Sequence, residues 1–245
     1  MIAIVSNVHS NLPALAEFLS RVERLKEEGK EVERIYIISA IGLMPYPSET
    51  VRLLSERPEG YIRVISGKYD RLIARWGEMD EKEKEEAVGR ELAEVLDVYW
   101  DMLGHDGRKW LRTEPESFLT DKFDSNEFYF TYGLIDSPDD MPAENETPSY
   151  YESRFAELKK YEVISVAGRR HYAVNTKIGK IVCPGTLGVG KSPAFALVDT
   201  STLAVSFESF SYNIKEVEDR INELEVSRAA KDLLREILYR KKAIP

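Results

Sequence analysis

The sequence predicts one α/β domain spanning residues 1–245, built from two packed, mixed β-sheets flanked by helices. Three observations carry that expectation. The first half alternates short apolar runs with amphipathic stretches over short connections, the pattern of parallel strands joined by helical crossovers. The second half is rich in strand-like runs separated by Gly, Asn and Ser/Thr turns, which suggests antiparallel pairing. No internal repeat or flexible linker divides the two halves.

Taken in order, Ile2–Ser6 is an apolar strand. A helix follows Ser10-Asn11, with Pro13 in its first turn, where a missing N–H costs nothing. Leu12, Leu15, Leu19, Val22 and Leu25 recur at spacings of three and four and give it one buried face, and Gly29 ends it. Arg34–Ile38 is the second strand, Pro47–Glu56 a short helix and Tyr61–Ile65 the third strand. Residues 71–112 read as helical and heavily charged, with Asp80–Glu86 a solvated face. Strands are expected at Phe118–Phe123 and Glu127–Thr131, a helix around Ser149–Tyr161 and a strand at Val163–Ala167. Tyr172–Asn175, Lys180–Cys183, Ala194–Asp199 and Leu203–Phe210 are strand-like, and helices at about Ile214–Leu224 and Ser227–Lys241 follow.

Apolar residues make up 43% of the 245, enough for a sizeable core. No apolar run approaches the roughly 20 residues needed to span a bilayer, and the N-terminus lacks the basic segment of a secretory signal. Neither a membrane protein nor a secreted precursor is expected. The single cysteine, Cys183, leaves no disulfide framework and suits a reducing, cytoplasmic compartment. A net charge of −9 offers no overall basic field for nucleic acid or anionic lipid. Abundant Glu, Lys and Arg with no glutamine is the composition of a thermophilic source.

Ligand crevices of open α/β sheets lie beyond the C-terminal ends of the strands. The segments there are Asn7-Val8-His9, Ser39-Ala40, Gly67-Lys68-Tyr69-Asp70, Tyr132-Gly133 and Gly168-Arg169-Arg170-His171. Together with the opening Ile4–Leu15, Pro45-Tyr46-Pro47 and Cys183–Gly188, these segments give a sequence that resembles the calcineurin-like metallophosphoesterases, in particular their small prokaryotic phosphodiesterase branch. The resemblance covers nearly the whole chain. It implies a four-layer α/β/β/α sandwich and a two-metal centre that activates water against a phosphoester.

The family builds that centre from D-x-H, G-D, G-N-H-D/E, H-G and G-H-x-H, and this chain departs at most of those positions. Asn7 stands for the first Asp, while His9 is kept. Ser39-Ala40 replaces G-D, and the alignment leaves open which of the two takes the bridging carboxylate's place. Lys68 replaces the Asn ligand, Tyr69 the catalytic His, Tyr132 the His of H-G, and Arg169 the first His of the last motif; His171 is kept. The resemblance implies that Asn7, His9 and His171 would share one metal subsite. The other subsite would hold two cations, Lys68 and Arg169. Two like unit charges about 4 Å apart repel by roughly 4 kcal/mol at an effective dielectric near 20, and a divalent ion roughly doubles that.

No resident cofactor is therefore expected, and at most one weak divalent ion (Mn, Zn, Ni or Mg) at Asn7, His9 and His171. Lys68 and Arg169 form a candidate anion site, since Arg and Lys hold phosphate without metal. The same residues have plainer readings. His9 and His171 fit as hydrogen-bonded core residues, Asp70 as a loop cap or salt-bridge partner, His105 as a loop residue and Cys183 as a buried thiol. The acidic stretch from Asp136 to Glu146 is placed to neutralise the cations from within, for instance through Asp136 or Asp139. Gly185–Ser192 matches the P-loop pattern letter for letter, but Pro193 and an apolar strand follow where that chemistry needs a helix.

Three functions stay open at this level. One is a catalytically silent protein of this fold that binds a phosphate-bearing small molecule or partner. A second is a slow phosphodiesterase or phosphatase with a residual single metal. The third is an interaction module whose cleft is filled by the acidic loop.

Overall fold

The computed structural model describes residues 1–58, 60–143 and 146–241. Ten strands form two five-stranded sheets among these residues. The first sheet uses β1 (Ile2–Ser6), β2 (Arg34–Ile38) and β3 (Ile62–Ile65), which run parallel, joined by α1 (Leu12–Glu27) and α2 (Pro47–Ser55). These are the expected crossovers. The Asn11 side chain caps α1 by accepting from the Ala14 N–H at 3.2 Å, and Pro13 sits in the first turn.

After β3 the chain enters a helical layer: α3 (Lys68–Ala74), α4 (Glu81–Val88) and α5 (Arg90–Thr113). The stretch expected to be helical over residues 71–112 is thus broken into three. Inside α5, Gly104 adopts φ 58° and ψ −168° and interrupts the helix, a conformation that a side chain would resist.

The second sheet contains β4 (Phe118–Phe123), β5 (Asn126–Thr131), β6 (Val163–Val166), β7 (His171–Thr176) and β8 (Gly179–Pro184), in the order β4-β5-β6-β8-β7. Helix α6 (Pro148–Arg154) leads into β6. The mixed sheets expected are found, but the expectation that the second half pairs antiparallel is corrected. β6 lies parallel to both β5 and β8, so this sheet is mixed. The antiparallel pair β9 (Ala194–Val198) and β10 (Val205–Ser209) returns to the first sheet, where β9 docks against β1. Helices α7 (Ile214–Glu223) and α8 (Arg228–Leu238) follow.

Side-chain alternation builds the layers. On β1, Ala3 and Val5 face the helices α1, α5 and α8, while Ile2 and Ile4 face the second sheet. Tyr36 on β2 stacks on Phe130 of β5 across the inter-sheet core, ring centres 3.7 Å apart. The far face of the second sheet packs Ile164, Val166 and Ile181 against Tyr151 and Phe155. The result is helix, sheet, sheet, helix. No helix among the described residues is long and apolar enough to cross a membrane.

A candidate anion-binding cleft

The C-terminal ends of β1, β2, β3, β5, β6 and β8 gather at one edge of the two sheets. A parallel bridge between Ser6 and Thr186 stitches the sheets together there. The backbone at this edge is contorted. Asn7, His9, Ser10 and Ser39 all have φ between 52° and 68°, a left-handed conformation that costs side-chain-bearing residues about 1 kcal/mol or more each. Hydrogen bonds enforce it: Asn7 N–H donates to Ile38 O at 2.8 Å, Val8 N–H to Ser39 O at 2.9 Å and Ser10 N–H to Ala40 O at 2.9 Å. Strain concentrated at one edge marks a place where shape is kept at the expense of stability.

Above these turns lies a cleft of about 720 Å³. Asn7, His9, Lys68, Tyr69, Tyr132 and Arg169 all line it, so most of the positions singled out in the sequence converge. His171 does not line it. Nor is it the core residue expected: it is exposed at the start of β7 with its ring 5.1 Å from Phe207 on β10. The subsite of Asn7, His9 and His171 is therefore brought together only in its first two members. His105 is exposed in the helical layer.

Asn7 and His9 form the floor, 2% and 3% exposed. The Asn7 amide nitrogen donates to Ser6 Oγ at 3.3 Å, Met141 Sδ at 3.3 Å and Gly168 O at 3.4 Å. Its Oδ1 and the Nδ1 of His9 are buried with no hydrogen-bond partner among the described residues. Burial pushes the His9 imidazole down to about 4, so it is neutral at physiological pH. Burial likewise pushes the phenols of Tyr69 and Tyr132 up, and neither is a proton donor of imidazolium strength.

Asp70 does not face the cleft. Its carboxylate accepts from the N–H groups of Ile41 at 2.8 Å, Gly67 at 2.9 Å and Ala40 at 3.2 Å, tying the start of α3 to the end of β2. It is a cap. Burial raises its pKa, opposed by those hydrogen bonds. Ser39 is buried beside it, and neither Ser39 nor Ala40 supplies a bridging carboxylate.

The walls carry five cations, Lys68, Arg169, Arg170, Arg240 and Lys241, against two carboxylates, Asp139 and Asp140, on a chain whose net charge is −9. Among the described residues neither Lys68 nor the Arg169 side chain makes an ion pair. Two carboxylates of the acidic loop are paired with other cations, Asp136 with Arg154 and Asp139 with Arg71, whose Nε lies at 3.1 Å, while Asp140 lines the cleft. Glu144 and Asn145 of that loop lie outside the described residues. Arg240 and Lys241, at the end of α8, are cleft residues that the sequence did not flag; there they read as ordinary cations at a helix C-terminus. Met141, Pro142, Val189 and Ile237 supply an apolar wall.

The P-loop match is a coincidence of letters. The N–H groups of Leu187, Gly188 and Gly190 are spent on Ser6 O, Asn7 O and Leu238 O, and β9 follows instead of a helix. Cys183 is buried, and burial raises its thiol to about 12.

The residues at the cleft do not fit a pair of divalent ions. Five cations line it, Ser39 and Ala40 offer no bridging carboxylate, and among the described residues no group of three His, Cys, Asp or Glu side chains is arranged for a metal. No family model and no curated protein matches the chain. Among solved structures it is similar to the hypothetical protein PH1004 from Pyrococcus horikoshii OT3, with a TM-score of 0.84 and 36% identity over 95% of this chain and 96% of that one. It is also similar in fold to a metallophosphoesterase from Sphaerobacter thermophilus, with a TM-score of 0.68 and 16% identity over 96% and 98% of the two chains.

Proposed function

From a chain that belongs to the family of Pyrococcus horikoshii PH1004 and shares the fold of a metallophosphoesterase, we propose a protein of the calcineurin-like superfamily that binds a phosphate-bearing small molecule in this cleft and does not carry out two-metal hydrolysis. One observation carries the reading: Lys68, hung on the first sheet, and Arg169, hung on the second, line the same cleft with no ion-pair partner among the described residues. Like charges sharing a crevice are costly unless an anion lies between them. Arg offers phosphate a two-pronged hydrogen bond and Lys a point charge. The apolar wall suits the organic part of such a ligand, and about 720 Å³ is within the range of small-molecule sites.

Cys183, buried and alone, supports a cytoplasmic setting, and the glutamine-free composition a thermophilic source. Inorganic phosphate should raise the melting temperature of the wild type, by mass action, and not that of a Lys68→Ala/Arg169→Ala variant. No shift in the wild type would defeat the reading. Manganese-dependent phosphodiester turnover that disappears in His9→Ala would replace it with a residual single-metal hydrolase.

A further inference from the structure

We infer that His9 is held as the tautomer protonated on Nε2, so that it offers the cleft an N–H donor for a phosphate oxygen and not a lone pair for a metal. The ligand half of this inference rests on the reading of the cleft proposed above; the tautomer half rests on packing alone.

The packing is unusual because of Gly42. A Cβ built on Gly42 would lie 2.3 Å from His9 Nδ1. In glycine that direction is taken by an α-hydrogen on a shorter bond, so a C–H points at the nitrogen. A C–H aimed at a lone pair is a weak hydrogen bond. Aimed at an N–H, it sets two hydrogens against each other. Among the described residues no acceptor bonds to Nδ1 to relieve that conflict. The Gly42 N–H is committed to Ser10 Oγ at 3.1 Å, and the next carbonyl, Leu43 O, takes the Tyr99 hydroxyl at 3.1 Å. Nδ1 itself is buried with no partner among the described residues. The Tyr69 ring meets the imidazole edge-on at 5.8 Å.

The lone pair therefore belongs on Nδ1 and the proton on Nε2, the ring nitrogen left to face the cleft that His9 lines. A metal-bound imidazole needs the opposite arrangement. Its ligating nitrogen carries the lone pair, and its second N–H donates to a carboxylate, carbonyl or water that holds the ring in place. That supporting acceptor is what His9 lacks among the described residues. The position thus has the polarity of an anion donor, matching Lys68 and Arg169 across the cleft.

Long-range ¹H–¹⁵N spectra of the full-length labelled protein near neutral pH distinguish a protonated ring nitrogen from a bare one. Only three histidines contribute, and His9→Gln identifies the His9 signals by their loss. The expected result is a protonated Nε2 and a bare Nδ1, with the Nε2 signal moving on titration with inorganic phosphate. A proton on Nδ1 overturns the inference, whatever phosphate does. If phosphate raises the melting temperature but leaves Nε2 unmoved, the donor role is overturned and the proposed function stands. If the tautomer is as expected and phosphate does not bind, the proposed function fails, the donor half falls with it and the packing half is upheld. As a second arm, His9→Ala should weaken phosphate binding by about tenfold or more, the loss expected for a hydrogen bond to a charged group. His9→Gln, whose amide nitrogen reaches near the Nε2 position, should bind close to the wild type. Equal loss in both variants would count against the donor.

Discussion

His9 in the folded chain takes up a proton only near pH 4, because burial disfavours the imidazolium, whereas an unfolded histidine does so near 6.5. Between those values the unfolded chain binds the proton and the native chain does not, so acidification favours unfolding. The stability is fully present above pH 6.5 and is lost as pH falls toward 4, by roughly 3 kcal/mol in all. Asp70 works the other way, since burial raises its pKa and makes the native chain the better proton acceptor above the ordinary carboxylate range. The comparison to make is therefore wild type against His9→Gln: denaturation midpoints at pH 7 and pH 4 should diverge less in the variant. A second residue-scale test is Gly42→Ala, which sets a methyl against the buried ring and should cost at least about 1–3 kcal/mol by denaturant unfolding. Asn7, His9, Lys68 and Arg169 could be read from the sequence because each closely follows a strand. Gly42 could not, since nothing local announces a contact with a distant imidazole. His171 fell outside the cleft because it lies at the first position of β7, with its ring against Phe207.

Elements place these side chains, and Asp70 is the joint that places Lys68. Its carboxylate gathers three backbone N–H groups from the end of β2 and the turn into α3. Asp70→Ala strands three buried donors and should destabilise the chain by about 3 kcal/mol or more. It should also shrink the phosphate-induced melting shift, because the start of α3 loses its anchor; thermal melts with and without phosphate check both. Element by element, the strands were legible where apolar alternation or a continuous apolar run bounded them, and β2 and β4 fall where expected. The pairing of the second sheet was not legible. Turn chemistry reveals the hairpins β4-β5 and β7-β8, but not that β6 slides in parallel between them. The breaks at Gly89 and Gly104 were hidden for a related reason. The charged and apolar spacing continues across them, and only the left-handed φ of each glycine ends a helix.

Across the whole molecule, a basic cleft sits on an acidic protein, and long-range attraction and repulsion of a ligand partly cancel. Phosphate affinity should fall as salt is raised from about 0.05 to about 0.5 M, where screening shortens from over 10 Å to a few Å. Calorimetric titration at the two salt levels measures it, and a salt-independent affinity would argue for binding away from the cations. The connection of the two sheets bears on how the chain comes to be folded at all. β1 is a central strand whose two neighbours, β2 and β9, lie on opposite sides of it in the sheet and far apart in sequence. The entire second sheet is threaded between them. During synthesis, β1 therefore waits with one edge bare until nearly two hundred residues have followed it, and bare edges recruit other chains. A fragment ending before β9 should aggregate where the full chain stays monodisperse, as light scattering of the two would show. Refolding should also be slow for the chain's size, because its first strand is completed by one of its last.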